Sequence, residues 1–173
     1  MLLKKGIASF IISIVLLAFI PAKGYTQQSA FKAAFLYHFT EYIDWRNVKM
    51  ETFNFAVLDK SPITEQMKII ANEKKIKNKK IKVKEYATLD AVEDCHILFI
   101  PETCTISIES ILKKFAGKPV LIVTEKAGYG KKGAHINFLV SENKLRFEIN
   151  LEAFKNSDIA ISSQLLQHAT IVN

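Results

Sequence analysis

The sequence predicts an α/β three-layer sandwich: one mixed, mostly parallel sheet with a C-terminal antiparallel hairpin, and helices on both faces. Three observations carry that expectation. Strand-like apolar runs alternate with helical segments, an order that favours parallel pairing through right-handed crossovers. Residues 133–168 open with two period-2 runs around a polar turn, the mark of a β-hairpin with one buried face. The 173-residue chain is 49% hydrophobic with six Gly and four Pro, a globular composition and not a disordered one.

Residues 1–24 stand apart from that domain. Lys4 and Lys5 precede Ile7 to Ile20, which is apolar apart from Ser9 and Ser13, and the small residues Ala22 and Gly24 suit a cleavage site. This is the layout of a cleaved signal peptide, leaving 25–173 as one domain. The apolar core is short of the roughly 20 residues a membrane-spanning helix needs. Formal net charge is +7, and seven lysines fall between Lys74 and Lys84. Export argues against nucleic acid as their partner. A solvated loop feeding an edge strand, where lysines discourage edge-to-edge pairing, is the simpler reading.

Gln28 to Asp44 reads as an amphipathic helix, with Phe31, Phe35, Phe39 and Tyr42 on one stripe beside Leu36 and Ile43. Tyr37, His38, Glu41 and Trp45 cannot all share that stripe, so they form a candidate protein-binding edge. Thr52 to Leu58 is a strand. Ser61 and Pro62 start a helix in the preferred manner, running to about Asn72. Lys80 to Glu85 is a strand with Ile81 and Val83 inward, and Cys95 to Ile100 is a second, stopped by Pro101. Ile106 to Ala116 is a helix closed by Gly117, with Pro119 beyond it. Val120 to Thr124 is another strand. In the hairpin, Ala134, Ile136, Phe138 and Val140 face Leu145, Phe147, Ile149 and Leu151 on the apolar side. A Glu142-Asn143 turn sets Asn137 opposite Glu148 and His135 opposite Asn150. Asn150 to Asn156 is a short helical segment, and Ser162 or Ser163 caps a last helix from Gln164 to about His168.

Few motifs point to chemistry. Gly128-Tyr129-Gly130-Lys131-Lys132-Gly133 matches G-x-G-x-x-G, but a strand follows where a phosphate-binding helix would have to start, so a flexible connection is expected. His38, His96, His135 and His168 show no metal-ligand spacing, and Cys-x-x-Cys is absent. Cys95 and His96 are strand neighbours and point to opposite faces. No elbow positions a nucleophile. The motifs therefore lead to the expectation of no metal, no cofactor and no catalytic residue to name, with a Ser–His–Asp set assembled by the fold, and so an exported hydrolase, left open. The polar face of the hairpin offers Asn137, Arg146, Glu148 and Asn150 as a small hydrogen-bonding ligand site. The plainer alternative is a solvated face, or polar pairs that fix register. Cys95 and Cys104 are not expected to form a disulfide, because an extended strand carries the chain about 17 Å away and the bridge needs a Cα separation of about 5.5–6 Å.

Several blocks, in order, resemble the YfiR/HmsC-like family of exported bacterial proteins. They are Lys32-Ala33-Ala34-Phe35-Leu36-Tyr37 with Trp45, Cys95-His96-Ile97-Leu98-Phe99-Ile100, and Gly117-Lys118-Pro119-Val120-Leu121. Ile136-Asn137-Phe138, Arg146 to Leu151 and Ile161 to Leu166 complete the set. The resemblance implies a periplasmic α/β protein that binds the periplasmic domain of an inner-membrane signalling protein. The best-known such partner is a diguanylate cyclase held inactive, with cyclic-di-GMP output and biofilm formation following release. A small-ligand sensor domain feeding a sensor kinase is the alternative, and the sequence leaves a homodimer open. Cys95 matches a family disulfide position, but the adjacent strand has Ala56 where the partner cysteine would stand, and Cys104 has no counterpart.

Overall fold

The structure is a computed structural model that describes residues 23–45, 48–49 and 51–173. The expected signal peptide lies outside the described residues apart from Lys23 and Gly24. In chain order the elements are α1 (Lys23–Tyr42), β1 (Ile43–Trp45), β2 (Thr52–Leu58), α2 (Ile63–Glu73), β3 (Lys75–Ile76), β4 (Lys79–Tyr86) and β5 (Ile97–Ile100). There follow α3 (Ile108–Phe115), β6 (Leu121–Thr124), β7 (Ile136–Ser141), β8 (Lys144–Asn150), α4 (Leu151–Lys155), β9 (Ile159–Ile161), α5 (Ser163–Leu166) and β10 (Thr170–Val172).

The main sheet has the order β10-β8-β7-β6-β5-β2-β4-β3. β2, β4, β5, β6 and β7 run parallel, β7–β8 and β3–β4 are antiparallel, and β10 joins β8 in parallel. This is the mixed, mostly parallel sheet that the alternation of elements predicts. β1 and β9 form a separate antiparallel pair, with Trp45 opposite Ile159.

Side chains alternate across the sheet and feed two cores. Phe53, Phe55, Val57, Ile97, Phe99, Leu121, Val123, Ile136, Phe138, Phe147 and Ile149 meet Ala33, Leu36 and Phe39 of α1 with Ile63 and Met67 of α2. Ala56, Leu58, Leu98, Ile100 and Ile122 meet Ile108, Ile111 and Phe115 of α3 on the opposite face. The three layers are thus helix pair, sheet and helix.

Local signals hold at most boundaries. Ser107 caps α3 by accepting from the Ser110 N–H, whereas α2 differs from expectation: Pro62 and not Ser61 is its N-cap, and the Ser61 hydroxyl only accepts from the Ile63 N–H at 3.3 Å. Ser162 caps α5 and Asn150 caps α4. Gly117 follows α3 with φ of 68°, the left-handed geometry that its place after the helix predicts. Glu142 and Asn143 take φ of 52° and 58°, so the β7–β8 turn is the two-residue kind whose twist suits a hairpin.

Four expectations need correction. The first helix ends at Tyr42 and not at Asp44, because Ile43–Trp45 turns extended to pair with β9 and the Tyr42 carbonyl accepts from the Ser162 N–H at 2.8 Å. The buried stripe of α1 is Ala33, Leu36 and Phe39, which leaves Phe31 56% exposed, while Phe35 lies half-buried against Phe138 and Phe147. Val140 is also exposed, and Ala134 packs on the α3 side because it precedes the strand. The lysine-rich stretch is a hairpin and not a loop. Lys77 and Asn78, both at positive φ, turn β3 back along β4 near the open edge of the sheet.

Candidate functional site

The glycine-rich segment gives the hairpin its most unusual surroundings. Residues 125–134 are a knotwork of turns, with Tyr129 N–H donating to the Lys126 carbonyl and Ala134 N–H to the Tyr129 carbonyl at 3.0 Å. Lys126 Nζ reaches the Cys104 carbonyl, and Lys126 and Lys132 both stand over the Tyr129 ring. The expected flexible connection is therefore a fastened cover. Gly130 lies so close to β7 and β8 that a Cβ there would sit 2.7 Å from Glu148 Oε2 and 3.3 Å from Asn137 Cβ. Its carbonyl accepts from Asn150 Nδ2 at 2.8 Å. Gly133, at φ of 108°, closes the segment against Leu112.

Under that cover part of the polar face of the hairpin is buried, while Glu148 is half-buried and Arg146 exposed. His135, Asn137 and Asn150 are 5%, 2% and 4% exposed. The register places Asn137 opposite Glu148, and Asn137 Nδ2 donates to Glu148 Oε2 at 3.0 Å. Asn150 N–H donates to the His135 carbonyl at 3.0 Å. Of the four residues proposed as one ligand site, the fold brings Asn137 and Glu148 together. Asn150 is spent on the Gly130 carbonyl and on capping α4 through the Ala153 N–H at 2.9 Å. Arg146 lies out toward the turn, exposed, 3.7 Å from Glu142. The four side chains therefore do not converge: Asn137 pairs with Glu148, while Asn150 and Arg146 are engaged elsewhere.

His135 is a structural ring. Its Nδ1 accepts from the Ile122 N–H at 3.2 Å, which leaves the proton on Nε2. Burial, partly offset by the neighbouring Ala153 backbone, pushes its pKa down to about 4. Burial likewise lowers His96, which stacks on Phe53. An unfolded chain takes up a proton near the ordinary histidine value of 6.5, while folded His135 stays neutral until about 4. Stability is therefore expected to fall as pH drops through that window, by roughly 3 kcal/mol at its acid end for this group. Urea unfolding at pH 7 and near its lower limit checks this. His135→Gln keeps an acceptor for Ile122 without titrating, and should flatten most of the slope.

The candidate docking edge is divided by the fold. Trp45 is 4% exposed, donates from Nε1 to the His96 carbonyl at 3.2 Å and packs edge-on to Phe53. Its expected place on an exposed edge is corrected: the switch from helix to strand at Ile43 turns it inward. Tyr37 is half-buried and its hydroxyl donates to the Lys75 carbonyl at 3.2 Å, tying α1 to β3. His38 and Glu41 remain at the surface, 3.6 Å apart, with side chains 61% and 56% exposed. Helical spacing sets Phe31 on the same side as His38 and Glu41, with Ala34 between them. Phe31 is the residue that sequence periodicity misassigned to the core.

Cys95 and Cys104 are both buried free thiols, with burial pushing Cys95 up to about 12. In the register of β2 with β5, Ala56 pairs with Leu98 and not with Cys95. Among the described residues no group of three or more His, Cys, Asp or Glu could hold a metal ion, and no helix is long and apolar enough to cross a membrane.

A sequence model described as YfiR/HmsC-like matches residues 29–170, from the start of the buried part of α1 to the first residue of β10. The chain belongs to the YfiR/HmsC-like family. No curated protein matches it. The matched span contains every element of this YfiR/HmsC-like fold from β1 to α5, including the covered hairpin and the α1 surface. The blocks that suggested the family map onto α1, β5, β6, β7, β8 and the β9–α5 corner.

Proposed function

We propose that this protein is an exported, periplasmic regulator that tunes a membrane-bound signalling enzyme of the diguanylate cyclase type by direct contact. It acts by binding and performs no chemistry. Family membership supports this reading, because the resemblance implies a periplasmic protein that holds such a partner inactive. The observation that carries it is the α1 surface, where a phenylalanine 56% exposed shares a side with exposed His38 and Glu41. An aromatic anchor ringed by polar groups is what a protein-binding hot spot needs. Residues 1–24, read as a cleaved signal peptide, deliver the domain to the compartment where the partner's extracytoplasmic part lies.

The test is capture of membrane proteins from the source cells on wild-type and variant bait, read by mass spectrometry. Phe31→Ser with His38→Ala should weaken capture of one integral membrane sensor by at least about tenfold, as expected for loss of an anchor worth over 1 kcal/mol. Both positions are exposed, so the fold should persist. Deleting the gene should raise cyclic-di-GMP. Equal capture by wild type and variant, or unchanged cyclic-di-GMP, would remove the proposal.

A further inference from the structure

Positive charge is concentrated at the β3–β4 edge of the sheet. Without residues 1–24, which hold Lys4, Lys5 and Lys23, the domain has 21 Lys and Arg against 17 acids, a net +4. Residues 74–84 alone contribute seven lysines and no acid, so the remainder is net −3. Charge segregated in this way marks a surface that meets a polyanion.

The fold spreads these lysines over one side. β3 turns back along β4 through Lys77 and Asn78, which sets Lys75 opposite Lys80. Lys84 is in register with Ala56 of β2, so Lys80, Lys82 and Lys84 lie on the α3 side of the sheet. α2 packs on the other side, against Ile76 and Ile81, and Lys75, Lys80 and Lys82 are exposed. Nearby acids are engaged at the ends of the row or away from it. Glu93 takes Lys84, Asp44 lies 3.8 Å from Lys77, and Glu85 accepts from the Thr64 hydroxyl of α2 at 2.7 Å. Among the described residues Lys74, Lys75, Lys79, Lys80 and Lys82 have no ion-pair partner. A two-residue edge strand is already a poor template for pairing, so edge protection alone does not account for five uncompensated ammonium groups.

We infer that the β3–β4 hairpin is a membrane-surface contact, its lysines set against the phosphate groups of anionic phospholipids. The ammonium groups act as point charges and donors, and salt releases them. Shape favours lipid over an acidic protein: the cations form a row on a strand face, with no large exposed apolar residue among them to anchor in a partner's pocket. The patch also adjoins the α1 surface. The Tyr37 hydroxyl donates to the Lys75 carbonyl, and Lys77 stands over the Trp45 ring, so the hairpin lies beside the His38–Glu41 end of α1. The inference rests on export, part of the reading above, and adds that the domain is held against the membrane where its partner sits.

The experiment pellets the processed chain with vesicles of phosphatidylcholine alone or of equal parts phosphatidylcholine and phosphatidylglycerol. Binding should occur with the mixed vesicles only and be reversed by salt. A lysine close to an anionic surface is worth about fivefold, so Lys75→Gln, Lys80→Gln and Lys82→Gln together should weaken binding by about a hundredfold. Lys113→Gln, Lys131→Gln and Lys144→Gln remove the same charge from exposed positions elsewhere and should weaken it far less. Lys75→Arg, Lys80→Arg and Lys82→Arg together should bind like wild type, which separates lost charge from lost fold. No pelleting with the mixed vesicles, or equal losses in the two glutamine sets, would overturn the assignment. Capture on polyglutamate beads with none on vesicles would also overturn it and give the hairpin to an acidic protein. These readouts contain no signalling partner, so their failure leaves the α1 docking reading standing.

Discussion

Phe39→Ala should lower the unfolding free energy by about 3–5 kcal/mol, the range for emptying a fully buried aromatic position. Phe39 is 1% exposed and sits where three elements meet. Its ring stacks on Phe138 of β7 at 5.8 Å, meets Phe147 of β8 edge-on at 5.0 Å and lies 6.0 Å from Phe35. Neither strand can close the gap, because β7 and β8 are fixed to each other by their register. A cavity therefore remains. Phe39→Leu retains most of the volume and should cost markedly less, while Phe31→Ala, one helical side away and exposed, should cost under about 1 kcal/mol. Urea denaturation of the three variants gives the comparison. Similar losses at positions 31 and 39 would contradict the orientation of α1.

Asn150→Ala should be the next most damaging single change, at roughly 2–4 kcal/mol from a lost cap and an orphaned carbonyl together. The side chain is buried and both ends are in use. Oδ1 receives the Ala153 N–H that starts α4, and Nδ2 reaches the Gly130 carbonyl of the cover. Asn150→Asp separates the two contributions. It keeps an acceptor for the cap and loses the donor, placing a negative group against the Gly130 carbonyl. Thermal unfolding should then rank wild type above both variants. Amide exchange at Gly133 and Ala134 should quicken in each, because the cover loses its main tie to β8. Slow exchange at those amides in Asn150→Ala would show that the cover is held by other bonds.

The sheet was readable because its strands carry continuous apolar runs broken by strong stop signals such as Pro101 and Gly117. The hairpin register was readable from Glu142 and Asn143 alone, since only a two-residue turn aligns both apolar faces. β1, β9 and β10 left no comparable trace. Each has three residues and owes its extended form to a distant partner, as Ile43 does to Ile161. The rotation of α1 escapes the sequence pattern for a related reason. Aromatic size drew the stripe toward Phe31, while the packing surface selects Ala33 and Leu36, whose smaller side chains let the helix approach the sheet. At the candidate site, the pairing of Asn137 with Glu148 follows from register. Its burial does not, because that depends on Gly130 crossing over it, and sequence pattern presents the same glycines as a loose linker.

The N-terminal helix and its following strand are clasped by the far end of the chain, through Phe138 and Phe147 on one side and Ile159 to Ile161 on the other. First and last segments are thus mortised into each other, with the parallel strands between them. No cut through the middle yields a half that retains its own interior. Such a molecule behaves as a single cooperative unit, so whatever seizes the surface of α1 bears on the same joint that secures the hairpin.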